Sequence, residues 1–385
     1  MKRIIISLLS VSLSFGAFAQ GGKKFVIKGT LKNVEDGTVF QLMKQEGRLG
    51  ISVCSDTVRN GKFTLKWTVV DGTEKYSLSP DTKEIGFPPM GLDIWVKSGS
   101  VIEVTGKNKW FYTWEIKSDI PEQIERNRFV VANAANWNEI QALLVESTTL
   151  SKKNLTISEK KNLTDSLNRL TQVTLKKIFL NDIELFKQKP ITTSAGVEVL
   201  GMAVSVMKEE NETTKLSELK LCYNQLSKYQ KETIEANNIY SILYPSKKVK
   251  VGDIMADGEL FDLSDNKHSL SEYKGKYLLL DFWSDGCSAC IQALPKLAKI
   301  YEKQRDTLNI IGINMNTPSV WKKRNKINQI SWVNLNDKKE YSGLATKYGL
   351  RAMPLYVFIS PEGKILFSTS YWEELENKMK EYIND

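Results

Sequence analysis

The sequence predicts a multidomain protein: an N-terminal antiparallel β-sandwich, a helical middle region and a C-terminal α/β domain. Three observations carry this reading. Apolar and polar residues alternate with a period of two up to about Lys117, helical spacing replaces that alternation around Pro121, and beyond Pro245 apolar runs take turns with amphipathic stretches. A chain of 385 residues has room for two or three domains. Its 41% hydrophobic and 26% charged residues, with only 23 Gly and 10 Pro, exclude disorder, collagen-like repeats and coiled-coil rods.

Residues 1–19 are expected to be a signal peptide. Lys2 and Arg3 precede an apolar run from Ile4 to Phe18, and Ala17-Phe18-Ala19 is a small-x-small cleavage pattern that would leave Gln20 as the first mature residue. The run is shorter than the roughly 20 apolar residues of a membrane span and contains serines, and no later stretch is apolar enough to cross a bilayer. No cysteine stands near the cleavage point for a lipid anchor, so the mature chain is expected in the periplasm and not spanning the membrane. Loss of Lys2 and Arg3 lowers the net charge from +9 to +7. The remaining lysines are interspersed with acids, as across Lys152 to Lys161, which argues against a nucleic-acid partner.

The sandwich is placed at residues 20–118. Phe25-Val26-Ile27-Lys28-Gly29 and Gly61-Lys62-Phe63-Thr64-Leu65-Lys66-Trp67 alternate strictly, and Asp36-Gly37, Asn60-Gly61 and Asp71-Gly72 are hairpin turns between such runs, which gives seven or eight strands. Trp67, Trp95, Trp110 and Trp114 could form a carbohydrate or peptide surface, but core filling is the preferred reading because aromatic rings dominate burial. Residues 119–245 are expected to be a helical spacer. Leu163, Leu167, Leu170 and Val173 recur at helical steps, as do Leu216, Leu219, Cys222, Leu226 and Tyr229, so these faces should pack on neighbouring helices. After the polar break Pro245-Ser246-Lys247-Lys248, residues 246–385 form the α/β domain. Its expected elements are a strand from Tyr277 to Phe282 interrupted only by Asp281, a helix from Cys287 to about Gln304, a strand from Leu308 to Asn314 and a helix from near Ser319. A hairpin of Leu355–Ile359 and Lys364–Ser368 turns at Pro361-Glu362-Gly363, and Trp372 to Ile383 is a closing helix.

Chemistry concentrates between the first strand and helix of that domain, at Asp281-Phe282-Trp283-Ser284-Asp285-Gly286-Cys287-Ser288-Ala289-Cys290. Four cysteines in so long a chain are no disulfide framework, and a single histidine, His268, excludes a multi-His metal site. Two cysteines three apart at a helix start can bridge across one turn. Cys287 meets the unpaired N–H groups and positive end of the helix, which favour its thiolate, so it is the expected attacking sulfur. Cys290, one turn further in, is the expected resolving sulfur. Zinc would need two more ligands from Cys54, Cys222, His268 or carboxylates, none suitably spaced, and covalent haem attachment wants a histidine where Ile291 stands. A purely structural bridge would close too small a loop to restrain an unfolded chain much. No metal and no cofactor is expected beyond a redox-active Cys287–Cys290 disulfide. Cys54 and Cys222 are expected to be buried free thiols, with a bridge between them as the alternative in an oxidising compartment.

From about residue 247 to 385 the sequence resembles the thioredoxin superfamily, and within it the extracytoplasmic TlpA and ResA-like thiol-disulfide oxidoreductases. The resemblance rests on Asp281-Phe282-Trp283, the two cysteines, Pro295, Met353-Pro354 before the strand at Leu355, the turn at Gly363, and the lead-in segments Val251-Gly252-Asp253 and Leu270 to Lys276. It implies that Asp281, its pKa raised by burial, exchanges a proton with Cys290, and that Pro354 is the cis-proline which brings the Met353 backbone beside Cys287 to pair with an extended substrate. Trp283 packs under the dithiol, and Pro295 kinks the helix. Met353, Pro354, Trp283 and Gly286 are the expected substrate-binding set. The sequence departs from ResA-like proteins at Ala293, where they usually carry glutamate, and from thioredoxin at Gly286 and Ser288-Ala289. The first two regions are similar to a β-sandwich domain of unknown function and a helical segment that precede such domains in Bacteroidetes-type envelope proteins.

The function this implies is a periplasmic thiol-disulfide oxidoreductase that reduces disulfides of exported proteins and is recharged by a membrane thiol electron donor. Alternatives are an oxidase or isomerase with the same dithiol, and an envelope binding protein whose dithiol is structural or sensory. Peroxide reduction is a minor reading, because Leu280 occupies the position where that neighbouring family needs proline.

Overall fold

Alternation becomes strands wherever one face can be buried. The computed structural model describes residues 23–46, 49–69, 72–81 and 86–383, so the expected signal peptide lies outside the described residues. The N-terminal strands are β1 (Lys24–Leu31), β2 (Val39–Glu46), β3 (Leu49–Thr57), β4 (Lys62–Thr68), β5 (Thr73–Pro80), β6 (Leu92–Lys97), β7 (Val101–Gly106) and β8 (Glu115–Lys117). They form two four-stranded sheets, ordered β4-β1-β7-β8 and β3-β2-β5-β6. Asn60 and Gly61 both take positive φ, +52° and +67°, as a two-residue turn between β3 and β4 requires. Inward residues of both sheets, among them Phe25, Ile27, Phe40, Leu42, Ile94 and Ile102, share one core. The expected all-antiparallel pairing fails at one place: β1 and β7 run parallel, with Val26 opposite Val101. They are far apart in sequence, and the long connection through the other sheet lets the chain return in the same direction. Trp95 and Trp114 are core residues, while Trp67 is 40% exposed.

The middle region is all helix: α1 (Pro121–Ala132), α2 (Ala134–Thr149), α3 (Ile157–Gln188), α4 (Ser194–Glu209), α5 (Thr213–Asn224), α6 (Lys228–Lys231) and α7 (Ile234–Leu243). A capping box of Thr156 and Glu159 opens α3. Of the expected packing stripe on this helix only Leu167 is buried, whereas Leu163, Leu170 and Val173 are exposed. The packed face lies in its C-terminal half, where Ile178, Phe179, Ile183 and Phe186 join Leu200 and Val204 of α4 in one cluster. On and after α5, Leu219, Cys222 and Leu226 are buried as expected, but Tyr229 is exposed. Side-chain bonds to backbone join these helices to β6 and to the β7–β8 connection: the Trp95 N–H donates to Gln123 Oε1 at 3.1 Å and the Tyr112 N–H to Gln141 Oε1 at 3.0 Å. Among the described residues no helix is long and apolar enough to cross a membrane.

Cys54 packs against the core of the two sheets and Cys222 lies in the helical core, both as free thiols, so the alternative of a bridge between them is overturned. Burial pushes both thiols above the ordinary cysteine range. Alkylation of the oxidised protein at pH 8 is therefore expected to be slow at both positions and to reach two thiols per chain only on denaturation. Rapid labelling of Cys222 in native protein would contradict this burial.

The C-terminal part contains β9 (Leu260–Phe261), β10 (Lys267–His268), β11 (Tyr277–Trp283), α8 (Ser288–Gln304), β12 (Leu308–Asn314), α9 (Pro318–Asn328), β13 (Val333–Leu335), α10 (Leu344–Lys347), β14 (Leu355–Ile359), β15 (Ile365–Thr369) and α11 (Trp372–Met379). The closing helix ends at Met379, earlier than expected, and β9, β10 and β13 had no strand signal because they are only two or three residues long. The main sheet is ordered β13-β12-β11-β14-β15, parallel on the β12 side of β11 and antiparallel on the β14 side. Both faces of β11 are covered, which is why its sequence is almost continuously apolar. Leu278, Leu280 and Phe282 enter one core and Leu279 another, which α8 and α11 close. Asp281 shares the side of Leu279 and Trp283, by strand alternation.

Candidate active site

The site starts from the last residues of β11 and the first of α8. Trp283 is fully buried at the strand end, donates its indole N–H to Asn334 Oδ1 at 3.2 Å, and packs with Cys290 and Trp321. The loop that follows is held from β12's end: the Asp285 N–H donates to Asn316 Oδ1 at 2.9 Å, and the Asp285 carboxylate pairs with Arg324 at 2.9 Å. The Cys287 N–H then closes a turn onto the Ser284 carbonyl at 3.2 Å. Cys287 is the N-cap of α8, with extended backbone, and its Sγ accepts the Cys290 N–H at 3.1 Å. A sulfur there sits where helix donors are unpaired, so negative charge on it is stabilised.

Cys287 and Cys290 are joined as a disulfide with Cα atoms 5.2 Å apart. Their exposure is unequal. Cys287 is half-buried, whereas Cys290 is 1% exposed beneath the first turn. A nucleophile or substrate sulfur approaching from solvent therefore meets Cys287.

Met353 and Pro354 are joined by a cis peptide bond just before β14. Met353 lines a cleft of about 440 Å³ with Gly286, Cys287, Ser288 and Ala289 on one side and Tyr341, Leu350, Arg351 and Ala352 on the other. Of the four expected substrate-binding residues, Met353 and Gly286 thus lie at the cleft. Trp283 does not: it is an inward residue of the central strand and has no surface to offer a substrate. Pro354 is buried behind Met353. Pro295 lies within α8, and Ala293 is buried against the sheet. A groove of about 510 Å³ between α8 and α11, lined by Lys296, Lys299, Lys303 and Trp372 among others, lies apart from the dithiol and holds no nucleophile.

Asp281 lies under this surface, 2% exposed, with Oδ1 lacking any hydrogen-bond partner. Burial alone pushes its pKa up to about 7, because no described cation or donor offsets the loss of water. Tyr356 stands directly across from it on β14, also fully buried and with its hydroxyl unpartnered. Burial first, and the Asp281 charge second, hold that phenol above its ordinary range. His268 is engaged elsewhere, 3.1 Å from Glu272 and 3.5 Å from Asp262.

Residues 251–368 match the model of the AhpC/TSA family. That segment is thioredoxin-like and similar to that family. The chain is 28% identical over 151 residues to the thioredoxin-like protein YneN of Bacillus subtilis, covering 37% of this chain and 86% of that one. It is 35% identical over 86 residues to the thiol-disulfide oxidoreductase ResA of Geobacillus kaustophilus, which is 21% of this chain and about half, 48%, of the ResA length. Among solved structures, the thioredoxin domain of a thiol-disulfide oxidoreductase from Bacteroides vulgatus is 28% identical, covering 36% of this chain and all of that one, with a TM-score of 0.34. The dithiol, Asp281 and the Met353-Pro354 bond all fall inside the matched thioredoxin-like domain. Tyr341, Leu350, Arg351, Ala352 and Tyr356 were missed in the sequence. Arg351 and Ala352 had a signal, adjacency to Met353-Pro354; Tyr341 and Tyr356 reach the site only through tertiary packing.

Proposed function

We propose that the protein is a thiol-disulfide oxidoreductase that reduces disulfides of exported proteins outside the cytoplasm. The observation that carries this reading is the pairing of an accessible Cys287 at a helix N-terminus with a shielded Cys290, beside a cleft that an extended chain can enter. In the reduced protein the Cys287 thiolate attacks one sulfur of a substrate disulfide. The substrate's S–S bond breaks, its other sulfur leaves as a thiolate that takes a proton, and Cys287 is held in a mixed disulfide. Asp281 accepts the proton of the Cys290 thiol, and Cys290 attacks Cys287 Sγ, so the substrate's second thiol is released and the Cys287–Cys290 bond forms. Two electrons and two protons pass to the substrate, and the dithiol becomes the disulfide. A membrane thiol donor returns the two electrons. Gly286 and the Met353 main chain flank the extended substrate segment, while Pro354 and Trp283 support the cleft from below. No metal or organic cofactor enters these steps.

Residues 1–19 direct export in this reading, which places the dithiol where protein disulfides persist. The division at residues 20–118, 119–245 and 246–385 gives the oxidoreductase a β-sandwich and a helical spacer that hold it away from other envelope components. The reducing direction is tested by the equilibrium of Cys287–Cys290 with glutathione. A potential near about −270 mV, the thioredoxin range, is expected, and one near about −120 mV would make the protein an oxidant instead.

A further inference from the structure

We propose that the cleft beside the dithiol favours disulfides whose cysteine is flanked by an acidic residue, with Arg351 as the specificity-determining side chain. The proposal rests on the oxidoreductase reading above and names its substrate class. Among the described residues Arg351 is the one charged side chain lining the cleft that Cys287 and Met353 share. It is exposed and makes no ion pair with any described residue. The contrast with Arg324 is direct: that guanidinium holds Asp285 at 2.9 Å, so the acid closest in sequence to Cys287 is already offset. What remains at the cleft is a positive charge with no ion-pair partner among the described residues, next to apolar surface from Leu350, Met353 and the 39% exposed ring of Tyr341.

A cleft of about 440 Å³ takes only a few residues, so a segment whose sulfur reaches Cys287 carries its neighbouring side chains past Arg351. A guanidinium offers a planar fork of donors that fits a carboxylate. A lysine on the substrate meets repulsion at the same place. Because the site is wet, the preference is a matter of rate and not an absolute requirement, and salt screens it.

The experiment uses the full-length mature protein, reduced and freed of reductant. Two peptides with the same internal disulfide differ only in having Glu or Lys on either side of the attacked cysteine. At low ionic strength the Glu peptide is expected to be reduced about three- to tenfold faster, the two rates converging in 1 M salt. Arg351→Gln should equalise the peptides and Arg351→Glu should reverse their order. Equal rates for the unsubstituted protein overturn the acidic preference and leave the oxidoreductase reading standing. A preference that survives in Arg351→Gln overturns the role of Arg351. Reduction of neither peptide by a protein with two titratable dithiol groups refutes the oxidoreductase reading, and this inference falls with it. Should the variants misfold, the salt dependence of the unsubstituted protein still decides the acidic preference.

Discussion

Cys287→Ser protein is expected to reduce insulin no faster than dithiothreitol alone, a loss of about a hundredfold or more, whereas Cys290→Ser protein attacks once and stops as a mixed disulfide. The asymmetry follows from burial. Cys290 is 1% exposed and roofed by the first turn of α8, so it cannot replace Cys287 as the entry sulfur. Cys54 and Cys222 cannot replace it either, since Cys54 packs against one core and Cys222 lies within another, both in other parts of the chain, and burial raises both thiols above the ordinary range. In Cys290→Ser the sulfur that would release the substrate is gone while the helix N-terminus that favours the Cys287 thiolate remains. Trapping should therefore yield a covalent adduct that dithiothreitol dissolves, detectable as a mass increase equal to the substrate. Retention of more than a tenth of the activity by Cys287→Ser, or adducts at Cys290 in that variant, would place the attack elsewhere.

The dithiol was legible in the sequence because its chemistry is local. Strand end, helix start and the three-residue step of Cys287 and Cys290 lie within ten residues, and the period changes at Pro121 and Pro245 mark the three kinds of structure in the chain. The parallel pairing of β1 with β7 was not legible, since it depends on where a chain returns after five intervening strands. Nor was the exposure of Leu163, Leu170 and Val173. Helical spacing says that such residues share a face, but only tertiary contacts say that α4 covers the other half of α3. Trp283 illustrates the same limit within the site. Its place in the motif suggested contact with substrate, yet the covering of β11 on both faces turns it into a buried support for Cys290. The cleft wall opposite Cys287 comes from Tyr341 and Leu350 to Met353, more than fifty residues downstream, so only the adjacency of Arg351 to the cis-proline could have drawn attention to it.

Asp281→Asn is expected to separate the two chemical steps and to make the oxidised protein more stable at alkaline pH. Asp281 is the one charged side chain on β11, and burial raises its pKa from 3.8 to about 7. In the unfolded chain the carboxyl loses its proton near pH 4, in the folded protein only near pH 7. Between these values the folded state holds a proton that the unfolded state has lost, so stability falls as pH rises through the window and stays low above it. Asparagine carries no such charge. Its gain over aspartate should be near zero at pH 4 and reach on the order of 4 kcal/mol as a ceiling at pH 8, read from urea midpoints of the oxidised proteins. Asp182, whose pKa burial also raises to about 7, produces a similar fall in both proteins and cancels from the difference. In the proposed mechanism the same proton governs resolution. Above pH 7 the Asp281 carboxylate can take the Cys290 proton, so resolution of the mixed disulfide should accelerate through that pH, while the first attack by Cys287 does not depend on it. In the variant, resolution at pH 7 should slow by about ten- to a hundredfold with first attack changed less than about threefold, as stopped-flow fluorescence can separate. Equal slowing of both steps would reduce Asp281 to a packing residue, and a stability gain that is the same at pH 4 and pH 8 would mean that its carboxyl is not the group holding the proton.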